Sequence, residues 1–245
     1  MPTLHRGETT IEYEVHGSGH PLLLLAPGGM RSATSIWGRA PFNPISEFVG
    51  QYRVIAMDQR NAGASRAPIT AADGWHSYAD DQLALLDELK VERCHLLGGC
   101  IGGAFALSLI ARAPARVSAA VLQQPIGYSG TNREVFYELF DGWAAELKQT
   151  RTDIADDALP PFRSRLYDGD FVFSVSRESV AECPVPLLVL RGNDVYHPGP
   201  ISEEIVRLAP RAELVHDWKT GDHLPLALAR VRQFLGDHSS GDHSP

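Results

Sequence analysis

The chain has 245 residues, long enough to bury one large core, and a single domain with at most a small insertion is expected. Hydrophobic residues make up 44% and charged residues 21%, too apolar a mixture for a disordered chain. The formal net charge of -8, with no stretch that concentrates Lys and Arg, weighs against nucleic acid and anionic membranes as partners.

The three cysteines, Cys94, Cys100 and Cys183, are odd in number and form no C-x-x-C pattern, so they read as free thiols in a reducing compartment. The first ten residues carry no charged segment followed by an apolar one, and no signal peptide is expected. The longest apolar runs, such as Pro21 to Pro27, are too short to span a bilayer. A cytoplasmic protein is the expectation.

In chain order, Thr10 to Val15 alternates, with Ile11, Tyr13 and Val15 on one face, and predicts a half-buried strand. After a turn at Gly17-Ser18-Gly19, Leu22 to Leu25 is continuously apolar, as a strand buried on both faces requires. Similar runs follow at Val54 to Met57, His95 to Leu97, Ala119 to Leu122 and Leu187 to Leu190, with Glu213 to His216 as a sixth. Helical periods lie between them, at Asp81 to Lys90, Ile101 to Ala113, Ile201 to Leu208 and Leu226 to Leu235. Strands alternating with helices predict an α/β fold with a mostly parallel, doubly wound sheet.

The alternation breaks at residues 127–181, which are aromatic and helix-rich, then rich in Asp and Pro. This segment is expected to form a small helical cap, flanked by core segments 1–126 and 182–236. Residues 237–245, polar and Gly/Ser-rich, are expected to be a disordered tail, and His238 and His243 within it read as solvated residues.

Gly98-Gly99-Cys100-Ile101-Gly102-Gly103 follows a buried strand and opens a helix. A side chain on so tight a turn projects from strained backbone, and the helix N-terminus behind it lowers a thiol pKa and offers N–H donors to an oxyanion. This strand–turn–helix resembles the nucleophile elbow of the α/β-hydrolase superfamily, with cysteine where serine is usual. The resemblance covers nearly the whole chain. Asp58 to Ser65 resembles the family's D-x-R-G-x-G-x-S turn, with Asn61 in place of a glycine, and Ala26-Pro27-Gly28-Gly29-Met30 occupies the place of its oxyanion loop without the usual histidine.

The resemblance implies a triad in chain order nucleophile, acid, histidine. Cys100 is then the nucleophile. Asp194, in Arg191-Gly192-Asn193-Asp194, is the orienting carboxylate, with Asp217 and Asp222 as rivals, and His223, in Gly221-Asp222-His223, is the base. His197, also in the acid loop, is read as a packing residue ahead of a substrate contact. The backbone N–H groups of Gly29, or else Met30, and of Ile101 are expected to hold an oxyanion. Met30, Gln124 and Trp143 are expected to touch substrate. In the cap, Phe136, Tyr137, Phe140 and Trp143 recur at helical spacing and are read chiefly as packing, with one or two lining the pocket.

A hydrolase of esters, lactones or thioesters working through an acyl-Cys intermediate is the leading expectation. Elbows with cysteine resemble those of dienelactone hydrolases and, locally, polyester synthases. Acyl transfer through the same intermediate and a low-turnover receptor on the hydrolase fold are the alternatives. No His/Asp/Glu cluster has ligand spacing, so no metal and no cofactor are expected. The expected partner is a small-molecule acyl substrate, and a homodimer is left open.

Overall fold

The computed structural model describes residues 1–239. Eight strands, β1 (Thr3–Arg6), β2 (Thr9–His16), β3 (His20–Leu25), β4 (Tyr52–Met57), β5 (Cys94–Gly99), β6 (Val117–Gln123), β7 (Leu187–Leu190) and β8 (Ala212–Val215), form one sheet. Their order is β1-β2-β4-β3-β5-β6-β7-β8. The first two strands pair antiparallel, and every pair from β4 onward is parallel. The alternating β2 thus takes the antiparallel side of the sheet, whereas the apolar runs of β3, β5, β6 and β7 fill its middle.

Each face of the sheet carries its own core. One contains Leu23, Leu25, Leu96, Ala120, Leu122 and Val189 under α2 (Trp75–Glu88), α3 (Ile101–Arg112) and α7 (Gly199–Leu208). The other contains Leu22, Leu24, Val54, Leu97, Val121 and Leu188 under α1 (Pro44–Phe48) and α8 (His223–Asp237). On α8, Val231 and Leu235 are sealed and Leu228 is buried beside them, the stripe that helical spacing calls for.

Two helices depart from the sequence periods. Helix α2 begins at Trp75, six residues before the expected start, because Trp75 and Tyr78 turn their rings onto Phe105 and extend the buried face backwards. Helix α1 lies outside the expected helical periods. Asn43 caps it, its Oδ1 accepting the Ile45 N–H at 3.0 Å, and Pro44 occupies the first turn.

Between β6 and β7 the chain forms α4 (Arg133–Lys148), α5 (Leu159–Tyr167) and α6 (Arg177–Ala181). Aromatic contacts among Phe136, Phe140, Trp143, Phe162, Tyr167 and Phe173 hold this cap together. The turn at Asp58 to Ser65 ties the cap to the core. Asn61 stands at φ 59°, a conformation that asparagine tolerates. Its carbonyl accepts Trp143 Nε1–H at 3.2 Å and its Oδ1 accepts Arg151 Nη1–H at 2.8 Å. At the chain's end Asp237 closes α8 and the Ser239 hydroxyl donates to the Leu235 carbonyl, so these residues are part of the fold. The rest of the expected tail, with His243, lies outside the described residues.

Candidate active site

The elbow follows from local sterics. A Cβ on Gly98 would lie 2.1 Å from the Gly102 carbonyl oxygen, and one on Gly102 would lie 2.0 Å from that of Leu25. Glycine at both positions therefore lets β5 turn into α3 against β3. Cys100, between them, is held at φ 57° and ψ -119°. Its N–H donates to the Gln123 carbonyl at 2.9 Å and its carbonyl accepts the Gly103 N–H at 3.0 Å. Such strain in a non-glycine residue persists only when the surroundings over-determine it, and it aims the thiol outward from the helix N-terminus.

The acid loop comes to the thiol from the end of β7. Asp194 Oδ1 accepts the backbone N–H groups of Tyr196 and His197, each at 3.0 Å, and closes a tight turn. Its Oδ2 lies 2.9 Å from His197 Nδ1. Gly192 is needed beneath this turn, because a Cβ there would lie 2.2 Å from the His197 carbonyl oxygen. The cap braces the loop from outside, where Asn132 Nδ2 donates to the Val195 carbonyl at 2.7 Å.

The imidazole of His197 is buried and faces Cys100. Its Nε2 is sealed from solvent and has no partner of full hydrogen-bonding geometry among the described residues, while thiol and imidazole shift one another's titration. Burial pushes the Cys100 thiol up, but His197 and the backbone of Gly28 and Ile101 outweigh it and hold the thiol below its ordinary value. Burial pulls His197 down, and Cys100 with Asp194 outweighs that and raises it. Burial likewise raises Asp194, and His197 with the loop N–H groups brings it below the usual carboxylate range. All three shifts favour a thiolate, an imidazolium and a carboxylate in a row.

His223 does not reach this group, and its expected place is corrected to the surface. It is the exposed first residue of α8, and its ring makes no hydrogen bond or ion pair among the described residues. The loop before α8 meets the acid loop through other side chains: Trp218 Nε1 donates to the Arg191 carbonyl at 2.8 Å, and Lys219 Nζ donates to Asn193 Oδ1 at 2.8 Å. The rivals of Asp194, Asp217 and Asp222, are also exposed. One signal for His197 was present in the sequence, an Asp and a His three residues apart before Pro198. The family's usual chain order, with the histidine after the last strand, hid it.

The other expected contacts divide. Gly28 and not Gly29 is the residue of the oxyanion loop whose backbone acts on the thiol together with Ile101, although Gly29 also borders the site. Met30 lines the cavity above Cys100. Trp143 and Gln124 are not among the lining residues. The Trp143 indole is engaged with Asn61 and the rings of Phe140 and Phe162. Gln124, at φ 41°, donates its backbone N–H to the Leu190 carbonyl at 2.7 Å and has a buried side-chain oxygen without a partner among the described residues.

The cavity measures about 280 Å³. Cys100, His197 and the oxyanion loop border it, and Ile126, Phe136, Leu139, Tyr167 and Tyr196 complete its walls. Of these Phe136 belongs to the cap aromatics expected to contribute, while Tyr167 and Tyr196 escaped the sequence reading. A mostly apolar recess with a few convergent polar groups suits a small ligand. Larger surface hollows, among them one around Tyr52 and Arg232 and one around Ser174 and Arg177, are lined by neither Cys100 nor His197. No helix among the described residues is long and apolar enough to cross a membrane.

Fold and elbow together define a hydrolase scaffold. The chain belongs to the alpha/beta hydrolase fold family, whose model matches residues 21–191. The "Putative carbamate hydrolase RutD" of Variovorax paradoxus is 35% identical over 112 residues, 46% of this chain and 41% of that protein. The 2-hydroxymuconate semialdehyde hydrolase of Pseudomonas sp. strain CF600 is 32% identical over 113 residues, 46% of this chain and 39% of that one. The chain thus spans about two fifths of the length of these curated relatives. Among solved structures, the meta-cleavage product hydrolase CumD of Pseudomonas fluorescens IP01 superposes with a TM-score of 0.71 at 21% identity, covering 97% of this chain and 98% of that one. An enol-lactonase from Burkholderia xenovorans LB400 gives 0.70 at 20% identity, covering 96% and 100%. At these identities the two structures bear on the fold alone.

Proposed function

We propose that the chain hydrolyses a carboxylic ester, lactone or thioester through an acyl-Cys intermediate, with Cys100 as nucleophile, His197 as acid and base, and Asp194 as its orienting partner. The observation that carries this reading is the row Cys100–His197–Asp194 on the nucleophile elbow, opening into a mostly apolar cavity. Names of relatives that include hydrolases of several substrates support the reaction type, not a particular substrate.

In the first half-reaction the Cys100 thiolate attacks the carbonyl carbon, and the pair of electrons from the C=O bond moves to oxygen. The N–H groups of Gly28 and Ile101 take that oxyanion, and a donor of this kind contributes about 3 kcal/mol. The intermediate collapses, and the leaving group departs with the proton from His197 Nε2. In the second, neutral His197 takes a proton from water as its oxygen attacks the thioester. The acid leaves, and thiolate and imidazolium are restored. Asp194 at Nδ1 fixes the tautomer in both halves.

A thiolate expels good leaving groups more readily than poor ones, so activated esters, enol-lactones and thioesters are preferred to amides. The cavity of about 280 Å³ suits a small acyl group. The free thiols of Cys94, Cys100 and Cys183 fit a reducing compartment such as the cytoplasm. Incubation with a chromogenic short acyl ester tests the reading. Turnover by the wild-type protein, its loss in Cys100→Ala and an acyl mass on Cys100 are expected, and equal turnover by the two proteins would reject it.

A further inference from the structure

The proposed reaction employs Cys100, His197, Asp194 and two backbone groups, and leaves one polar side chain in the cavity unexplained. Arg31, at the cavity edge, is engaged by Glu146 through Nε at 2.9 Å and Nη2 at 2.7 Å. Tyr196 is 36% exposed. Tyr167 is different. It is 1% exposed, lines the cavity, and its hydroxyl makes no hydrogen bond among the described residues. The hydroxyl oxygen is unpaired but not fully sealed, and Tyr167 borders the cavity.

The fold fixes where this hydroxyl lies. Tyr167 ends α5 in the cap, and the Tyr167 carbonyl accepts Arg133 Nη1–H. Its ring is stacked on Phe136 at 5.5 Å and meets Phe173 at 5.5 Å and Trp75 at 6.3 Å edge-on. A phenylalanine would satisfy that cage equally well, so packing does not account for the oxygen. Burial, then Tyr78 and the Cys100 charge, push the phenol far above its ordinary value, and it remains a protonated donor throughout the working range. An enclosed donor without a partner is unfavourable until something pairs with it.

We infer that Tyr167 selects the substrate: from the cap its hydroxyl donates a hydrogen bond to an oxygen carried by the acyl group one or two bonds from the scissile carbonyl. The substrate class is then an oxygenated acyl compound, such as a hydroxy-, alkoxy- or oxo-acyl ester or thioester. This rests on the reading that Cys100 attacks a carbonyl. The attacked carbon must touch the thiol, and its carbonyl oxygen is taken by Gly28 and Ile101. Tyr167, on the cap side of the cavity, is left to meet a different oxygen of the same molecule. A site built to bond an oxygen discriminates sharply against the analogue that lacks it, because its own donor is then stranded.

The test uses two esters of equal length, 4-nitrophenyl methoxyacetate and 4-nitrophenyl butyrate, which differ by an oxygen in place of a methylene. Tyr167→Phe keeps the ring cage, and the unequal chemical reactivity of the two esters cancels between wild type and variant. The expected result is a fall of about tenfold or more in kcat/KM for methoxyacetate and less than about twofold for butyrate. Alkylation of Cys100 needs no turnover and gives a second reading. Iodoacetamide, with its carbonyl oxygen two bonds from the attacked carbon, slows about threefold or more in the variant, and allyl iodide does not. Equal effects on both members of each pair would overturn the inference. A Cys100→Ala protein that hydrolyses at the wild-type rate would instead reject the nucleophile reading, and this one with it.

Discussion

His197 and Asp194 sit three residues apart in one loop, with Nδ1 of the first 2.9 Å from Oδ2 of the second. The same carboxylate accepts the His197 backbone N–H through its other oxygen at 3.0 Å. One side chain thus sets both the loop and the ring. Asp194 and His197 arrive together from the end of β7, and the loop before α8 meets theirs through Trp218 and Lys219.

Asp194→Asn is expected to lower turnover by about three to four orders of magnitude, since an amide no longer fixes the imidazole tautomer or stabilises its charge. Because Asp194 also closes the loop, Asn should retain the fold through its side-chain oxygen while Asp194→Ala loosens it. Initial rates and thermal melts of the two variants check this. Wild-type turnover in Asp194→Asn would contradict it.

Cys100 should alkylate as a low-pKa thiol. The thiolate fraction rises as pH rises through the Cys100 pKa, which His197 and two backbone groups hold below 9.0. His197 keeps its proton until pH rises through a pKa above 6.5, so both shifts widen the range in which thiolate and imidazolium coexist. In His197→Ala burial is no longer opposed by the imidazolium, and the alkylation inflection should move upward. A pH–rate profile with iodoacetamide checks the direction, and an unmoved inflection would separate Cys100 from His197.

Glycines at two positions should respond oppositely to alanine. A Cβ on Gly102 meets the Leu25 carbonyl oxygen at 2.0 Å, and Gly102→Ala is expected to destabilise by about 1–3 kcal/mol or more. Gly142 is exposed in the middle of α4 with nothing within 4 Å of its Cβ, and Gly142→Ala should stabilise by roughly 0.5–1 kcal/mol. Urea unfolding of both variants provides the measurement.

Arg151 is 7% exposed and bonds Asn61 Oδ1 at 2.8 Å and the Ala67 carbonyl at 3.1 Å. Arg151→Met strands the Ala67 carbonyl, leaves Asn61 Oδ1 with the Ala67 N–H alone and removes a partner of Asp153, and should cost about 1–3 kcal/mol. The loss should be accompanied by faster proteolysis within 127–181, the segment these bonds tie down. Protection equal to wild type would show that the aromatic contacts suffice.

How far these features were legible depends on where their cause lies. The central strands could be read because burial on both faces demands unbroken apolar runs, as at Leu22 to Leu25. The elbow could be read because sterics at Gly98 and Gly102 are local to the chain. Helix α1 was missed although Asn43 before Pro44 is a local start signal, because five residues show no helical period, and the early start of α2 was not legible because the Trp75 contact with Phe105 is settled by the folded surroundings. The histidine required knowledge of which loop reaches the elbow. Two residues, His197 and His223, had equally suitable chemistry, and the folded chain separates them: His197 is buried with Nδ1 2.9 Å from Asp194 Oδ2, and His223 is exposed. Tyr167 escaped for a related reason: nothing in α5 itself tells which aromatic of the cap faces the thiol.

The central claim is that His197, not His223, works with Cys100. The most direct measurement compares initial rates of His197→Gln and His223→Gln on one chromogenic acyl ester, with circular dichroism to confirm that both are folded. Turnover reduced by about three orders of magnitude or more in His197→Gln, with His223→Gln within about twofold of wild type, is the result expected. An inactive His223→Gln beside an active His197→Gln would contradict it.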